Sequence, residues 1–270
     1  MLLALDAGNT NITVGVWDGD LLVTRWRLRT LRDQTADEWG ILLRNLFDFA
    51  GLDQSAVNGV VIASVVPQLE ASLRLMSKRY FSQDPLFVTS ETDTGITIRY
   101  ENPREVGADR IVNAVSAYNK YGGPVIVVDL GTAITFDVIS VNAEYLGGVI
   151  CPGIGISIEA LVSRTARLPQ VDFRNPGSVI GRTTVTSMQS GLYYGAIGMI
   201  DAIAERLLAE LGSTTRFVAT GGQAAMILED SRYLHSVDED ITLDGLRLIW
   251  NRSGGTIQAQ AEGSGAPGGR

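Results

Sequence analysis

The sequence predicts two α/β domains meeting near residue 115, and three observations carry that prediction. Short apolar strand candidates alternate with helical patterns along the chain. One unit of strand, turn and hairpin occurs twice, at Leu3-Ala4-Leu5-Asp6-Ala7-Gly8 and at Val127-Val128-Asp129-Leu130-Gly131. Each copy ends its strand on an aspartate with a glycine two residues on. A length of 270 residues, 45% of them apolar, is enough to bury two cores.

The first strand, Leu2 to Leu5, runs into Asp6-Ala7-Gly8-Asn9-Thr10-Asn11. A second, Ile12 to Trp17, reaches the turn Asp18-Gly19 before Leu21-Leu22-Val23, which makes a meander of three antiparallel strands. Thr35-Ala36-Asp37-Glu38 is a capping box, and Trp39, Leu42, Leu43, Leu46 and Ala50 then recur at helical spacing. A strand from Val60 to Val66 follows, then a helix marked by Leu69, Leu73, Met76 and Tyr80. Ile96 to Tyr100 alternates like a strand, and Ala108 to Tyr121 is helical. The second half opens on Val125 to Val128 and continues through strands Ile134 to Val141 and Tyr145 to Ile150. It adds helices near Ile156 to Arg167, Met188 to Leu211 and Leu243 to Trp250, with a strand Arg216 to Ala219 ending in Thr220-Gly221-Gly222. The expected domains are 1–115 and 116–252, and the glycine-rich stretch 253–270 reads as a flexible tail.

Composition narrows the chemistry. Twenty-two basic against thirty acidic residues give a net charge of −8, which disfavours a nucleic-acid partner. The apolar runs are short, and the start MLLALDAGNT reaches Asp6 with no basic residue before it. Neither a membrane span nor a signal peptide is expected, and the location expected is cytoplasmic. One cysteine, Cys151, and one histidine, His235, are too few for a disulfide framework or a Cys/His zinc site. His235 lies in a polar acidic stretch with no nucleophile elbow nearby and reads as a solvated loop residue, so a general base is expected to be a carboxylate. The two lysines, Lys78 and Lys120, follow no glycine, and no Walker A sequence exists.

A strand that delivers an aspartate into a tight glycine turn suits phosphate and cation binding. Gly8 lets the backbone approach closely, Asn9, Thr10 and Asn11 offer donors, and Asp6 can hold a cation, usually through water. The second copy, Asp129-Leu130-Gly131-Thr132, strengthens this, since two such turns facing across a cleft would clamp a polyphosphate. Between the copies, Tyr100-Glu101-Asn102-Pro103-Arg104-Glu105-Val106-Gly107-Ala108-Asp109-Arg110 is denser in polar side chains than a helix start needs. Asp109 fits a first-turn charge at the helix dipole. With the glycine and two arginines beside it, Asp109 fits better as the base that takes a proton from an attacking hydroxyl, while an arginine holds an anionic group. The long helix from Met188 carries a wide apolar stripe, Met188, Leu192, Ala196, Met199, Ile200, Ile203 and Leu207 widened by Tyr193, Tyr194 and Ile197. It calls for a second packing partner, either the other domain or another chain.

Six motifs in order, Asp6 to Thr10, Ala63-Ser64-Val65-Val66-Pro67, Asn102-Pro103 with Gly107 to Arg110, Asp129 to Ala133, Gly147-Gly148 with Pro152-Gly153, and Gly181-Arg182-Thr183-Thr184, make the chain resemble type III pantothenate kinases. The resemblance runs from Leu2 to about Gly222. It implies an α/β fold of two duplicated ribonuclease H-like domains of the actin/Hsp70/sugar-kinase superfamily, and the ATP-dependent phosphorylation of pantothenate to 4′-phosphopantothenate, the first step toward coenzyme A. It further implies ATP contacts at Asp6, Ala7, Gly8, Asn9, Thr10, Asn11, Ile12, Thr13 and Thr132, and a monovalent cation, K+ or NH4+, at Asp129. Asp109 matches the family's proton acceptor, and Tyr100, Gly107, Ala108, Asp109, Arg110 and Thr184 match its pantothenate contacts. Mg2+ is expected on the ATP phosphates, and Arg110 or Arg104 on the pantothenate carboxylate. The family forms homodimers in which Thr184 would reach the partner's substrate. One motif departs, reading Gly-Arg-Thr-Thr where the family has Gly-Arg-Asn-Thr. The nucleotide turns alone would also fit a sugar or acetate kinase of the same superfamily, or an actin-like or regulatory nucleotide-binding protein. The Gly107 to Arg110 segment separates these readings, since a binding switch needs no base beside an acceptor site.

Overall fold

The computed structural model describes residues 1–263, with side chains to residue 254. They form two compact units, one of Met1–Ser116 with the chain from Thr242 on, the other of Ala117–Ile241.

In the first unit, β1 (Leu2–Ala7), β2 (Asn11–Asp18), β3 (Leu21–Arg29), β4 (Gly59–Ser64) and β5 (Leu86–Phe87) make one sheet in the order β3-β2-β1-β4-β5. The β1–β2 and β2–β3 pairs are antiparallel, and β1–β4 and β4–β5 are parallel. Alternation assigns Leu3, Leu5, Ile12, Val14, Val60 and Ile62 to one face. There they bury Trp39 and Leu43 of α1 (Ala36–Phe49) and Leu69 and Leu73 of α2 (Pro67–Phe81). Each such side chain contributes about 1.5–3 kcal/mol on leaving water. The expected capping box is present, with Glu38 N donating to Thr35 Oγ1 at 3.3 Å and Thr35 N to Glu38 Oε2 at 2.8 Å. Only the pair Thr97–Ile98 of the expected Ile96 to Tyr100 strand is extended, as β6, and α3 (Ala108–Tyr121) follows.

The opposite face of this sheet receives the last helix, α7 (Ile241–Gly263). The sequence pattern carried the second domain to 252 and a tail from 253; in the structure α7 belongs to the first unit and continues through residue 263. Its Leu243, Leu246 and Ile249 are buried. Leu243 lies on Gly15, Gly245 meets Val112 of α3, and Thr242 Oγ1 bonds Asn113 Oδ1 at 2.7 Å. The Trp250 ring rests on Gly59, where a Cβ would stand 2.2 Å from it, so residue 59 has no room for a side chain. Residues 264–270 of the expected tail lie outside the described residues.

The second unit repeats the plan. Strands β7 (Val125–Leu130), β8 (Ala133–Ile139) and β9 (Glu144–Pro152) form an antiparallel meander, and β10 (Arg216–Thr220) pairs parallel with β7 as β4 does with β1. In β1 every residue is buried but Asp6; in β7 every residue is buried but Asp129. Asp6 pairs with Thr13 across the strands and Asp129 with Thr135. Helices α4 (Ile154–Ser163), α5 (Thr184–Leu211) and α6 (Ala224–Leu228) complete the unit. The α5 stripe is covered within it: Met188, Leu192, Tyr193, Ala196, Ile197 and Ile200 are buried in its core, and Tyr194, Met199, Ile203 and Leu207 pack half-buried on the same core. No second chain is needed to bury that stripe. Among the described residues, no helix is long and apolar enough to cross a membrane.

Candidate active site

The turn after β1 is built by its own backbone. Gly8 N donates to Asn11 O at 3.0 Å, and Thr30 at the end of β3 holds it from the side, its N bonding Thr10 O at 3.0 Å and its Oγ1 bonding Gly8 O at 2.7 Å. Asn9 and Thr10 are left exposed at the tip, Asp6 partly exposed below them, and Asn11, Ile12 and Thr13 lead into β2. Asp6 to Thr13 therefore form one continuous rim, with polar side chains at the tip and an acid at the base.

Beside it, at the carboxyl ends of the parallel strands β1 and β4, where open α/β sheets bind ligands, lies the start of α3. Asp109 Oδ1 accepts the Arg110 N–H at 2.8 Å and folds back over Gly107. A Cβ at 107 would fall 2.5 Å from that oxygen and 3.4 Å from Val65 Cγ1, so glycine there is what lets the carboxylate reach its place. Val65 N in turn donates to Ala7 O at 3.1 Å. Val65 thus meets both the end of β1 and Gly107, the glycine over which the Asp109 carboxylate folds. Burial pushes the Asp109 carboxyl above the usual carboxylate range, against the opposing pull of the Arg110 N–H and guanidinium. Arg110 itself is buried.

A cavity of about 510 Å³ opens at this end of the unit, lined by Ser64, Val65, Phe87, Thr89, Arg104 and Gly107 among others, within the size range of small-molecule sites. Gly107 and Ala108 of the expected substrate contacts line it; Tyr100, Asp109 and Arg110 are not among its lining residues. Arg104 is occupied by Glu91, its Nη2 2.6 Å from Glu91 Oε1.

In the second unit the turn after β7 is packed just as tightly. Gly131 N donates to Ala133 O at 3.1 Å. Gly221, with φ of +92°, lies against it, and a Cβ there would be 2.5 Å from Asp129 Oδ1 and 2.7 Å from Leu130 O. The Asp129 carboxylate and Thr132 therefore share this turn with the Thr220-Gly221-Gly222 segment. Among the described residues no three His, Cys, Asp or Glu side chains converge, so each turn offers single carboxylates with hydroxyl and carbonyl oxygens. Such a donor set fits a hard cation whose other ligands are phosphate oxygens and water.

Thr184 is the first residue of α5 and is exposed. Thr183 before it is the N-cap, its Oγ1 accepting the Thr186 N–H at 3.1 Å. Threonine and asparagine both cap helices well, which accounts for the Thr-for-Asn departure in this motif. His235 is exposed, as expected.

A family model described as type III pantothenate kinase matches residues 2–206. A type III pantothenate kinase of Solibacter usitatus is 62% identical over 253 residues, covering 94% of this chain and 97% of the relative. This chain belongs to the type III pantothenate kinase family. Other members of the family, from Koribacter versatilis and Myxococcus xanthus, are 50% and 53% identical, over 97% and 94% of this chain and 100% and 99% of their own. Among solved structures, a Baf-family transcriptional activator of Campylobacter jejuni superposes with a TM-score of 0.57 at 20% identity, covering 94% of this chain and 99% of its own. The activator of 2-hydroxyisocaproyl-CoA dehydratase from Clostridium difficile, bound to ADPNP, superposes at 0.52 and 11% identity over 99% of each. At those identities the likeness is one of fold alone, and it agrees with the two repeated α/β units described above.

Thr30, which holds the first turn of this pantothenate kinase, carried no assigned role in the sequence. Val65 was visible as part of a motif and Gly221 as part of the glycine turn after β10, but the segments that each meets lie far along the chain, and local spacing holds no signal for those contacts.

Proposed function

We propose that the protein transfers the γ-phosphoryl group of ATP to the primary hydroxyl of pantothenate, giving 4′-phosphopantothenate and ADP at the start of coenzyme A synthesis, in the cytoplasm. The observation that carries this reading is the buried Asp109 carboxylate folded over Gly107, the glycine that meets Val65 beside the end of β1. A nucleotide-binding switch or scaffold has no use for a buried base at that point. Asp6 to Thr13 and Thr132 are the ATP contacts on this reading. The pantothenate hydroxyl oxygen attacks Pγ as its O–H bond breaks, the proton passes to Asp109, and the bond from Pγ to the β-phosphate oxygen breaks to release ADP. Burial that raises the affinity of Asp109 for a proton makes its ionised form the stronger base.

Tyr100, Gly107, Ala108 and Arg110 hold the acceptor, with Arg110 or Arg104 at the pantothenate carboxylate. Mg2+ bound with ATP neutralises phosphate charge, with Asp6 suited to hold it through water. Asp129 is the ligand proposed for K+ or NH4+. The homodimer is also part of this reading. It draws support from family membership and from Val179 and Ile180, 67% and 79% exposed just before Thr184, which reaches the substrate of the partner chain.

The test is ATP consumption with pantothenate, acetate and hexoses as acceptors. Turnover with pantothenate alone supports the assignment. Turnover with a hexose or acetate and none with pantothenate contradicts it.

A further inference from the structure

We propose that Arg27, supported by Arg29, forms a cationic wall of the nucleotide site that grips the terminal phosphates of ATP. This rests on the ATP reading of the first turn and extends that site to a strand with no assigned part in it.

The first turn faces an electrostatic problem of its own. Its ligand is a polyanion and its own charge is Asp6, yet the chain has no lysine or arginine before Arg25. The Gly8 N–H is spent on Asn11 O. With no Walker-type lysine, the first side-chain cations along the chain are those of β3. The register supplies it. Asp6 pairs with Thr13 and Thr13 with Arg27, while Asn11 pairs with Arg29. Residues directly opposite in neighbouring strands share a face, so Asp6, Thr13 and Arg27 stand in one row and Asn11 and Arg29 in the next, beside the turn. At about 4.8 Å per strand, the Arg27 backbone lies roughly 10 Å from that of Asp6, and its side chain leaves the sheet on the same face as Thr13 and Asp6.

This is the face opposite the core, which takes Ile12, Val14, Trp26 and Leu28 from the same two strands. It is also the face that α7 covers, where Leu243 lies on Gly15. The Thr13 and Asn11 rows lie beyond that contact on the side of the turn, and Arg27 and Arg29 are exposed there. Arg32 adds a third guanidinium at the turn, its Nη2 3.5 Å from Asn9 Oδ1. Forked, permanently charged donors at this spacing fit phosphate oxygens. Charges on an edge strand also deter sheet-to-sheet pairing. That role would be indifferent to which arginine of β3 is removed.

The test uses the full chain with Arg27→Gln, Arg29→Gln, the double variant, Arg27→Lys, and Arg25→Gln as a control one row farther from the turn. Arg27→Gln is expected to raise the KM for ATP, and the Kd of a β,γ-imido ATP analogue, about tenfold. The double variant should raise them further, Arg27→Lys should restore part, and the pantothenate KM should stay unchanged in all. Arg25→Gln should behave as wild type. Unchanged ATP parameters in Arg27→Gln and in the double variant would overturn the proposal, as would an equal loss in Arg25→Gln, which marks a general field. Wild-type turnover of pantothenate in the same assay judges the underlying activity separately.

Discussion

Asp109 combines a functional placement with a cost in stability. Its folded pKa lies above the unfolded value of 3.8, so between the two the folded state binds more protons, and stability is lost as pH rises through that window. Asp109→Asn keeps the shape and the acceptor for the Arg110 N–H but removes the buried charge. Thermal unfolding at pH 7 should therefore give a higher Tm for Asp109→Asn than for wild type, with the gap closing as the pH is lowered through the raised pKa. At Thr183 the expectation concerns the cap: Thr183→Asn should leave stability within a few tenths of a kcal/mol, and Thr183→Ala should cost about 1 kcal/mol by denaturant unfolding. Both residues were visible in the sequence, Asp109 from its polar neighbours and Thr183 from its motif. The approach of Gly107 to Val65, more than forty residues earlier, was not, because no local spacing records it.

At the scale of elements, the segment 164–183 shows how irregular chain is held. It has no regular secondary structure, yet three side chains of α5 tie it down. Gln189 Nε2 bonds Asp172 O at 3.1 Å, Ser190 Oγ bonds Val179 O at 2.5 Å, and Tyr193 OH meets Asn175 Nδ2 at 3.3 Å while donating to Asp230 Oδ2 at 2.7 Å. Burial first, and then the Asp230 carboxylate, push the Tyr193 phenol up to about 12. Tyr193→Phe should cost about 1–3 kcal/mol in urea unfolding and speed proteolytic cleavage within 164–183 of the native protein. The helices and central strands were legible because their apolar periodicity is long. β5 and α6, of two and five residues, are too short to show a period. β3 was cut short at Val23 in the sequence pattern because arginines take its outward positions to Arg29, and such alternation reads as polar.

Across the whole molecule, duplication was the most legible feature: the same apolar strand ends on an aspartate in each unit, and each is laid parallel to a later strand, β4 or β10. The return of α7 to the first unit was not legible, since an apolar helix does not state which sheet face will accept it. Two expectations belong to this scale. Potassium or ammonium should activate the enzyme and sodium should not, as read from rates in buffers with one monovalent cation each. Mixed Asp109→Asn and Thr184→Ala chains should recover part of the activity after subunit exchange, because one site of the mixed dimer draws both intact residues. The central claim, a pantothenate kinase with Asp109 as base, is tested most directly by following 4′-phosphopantothenate formation in wild type and Asp109→Asn at saturating ATP. The account predicts product from wild type and a loss of kcat of about a hundredfold or more in the folded variant; a variant that keeps most of the wild-type rate would contradict it.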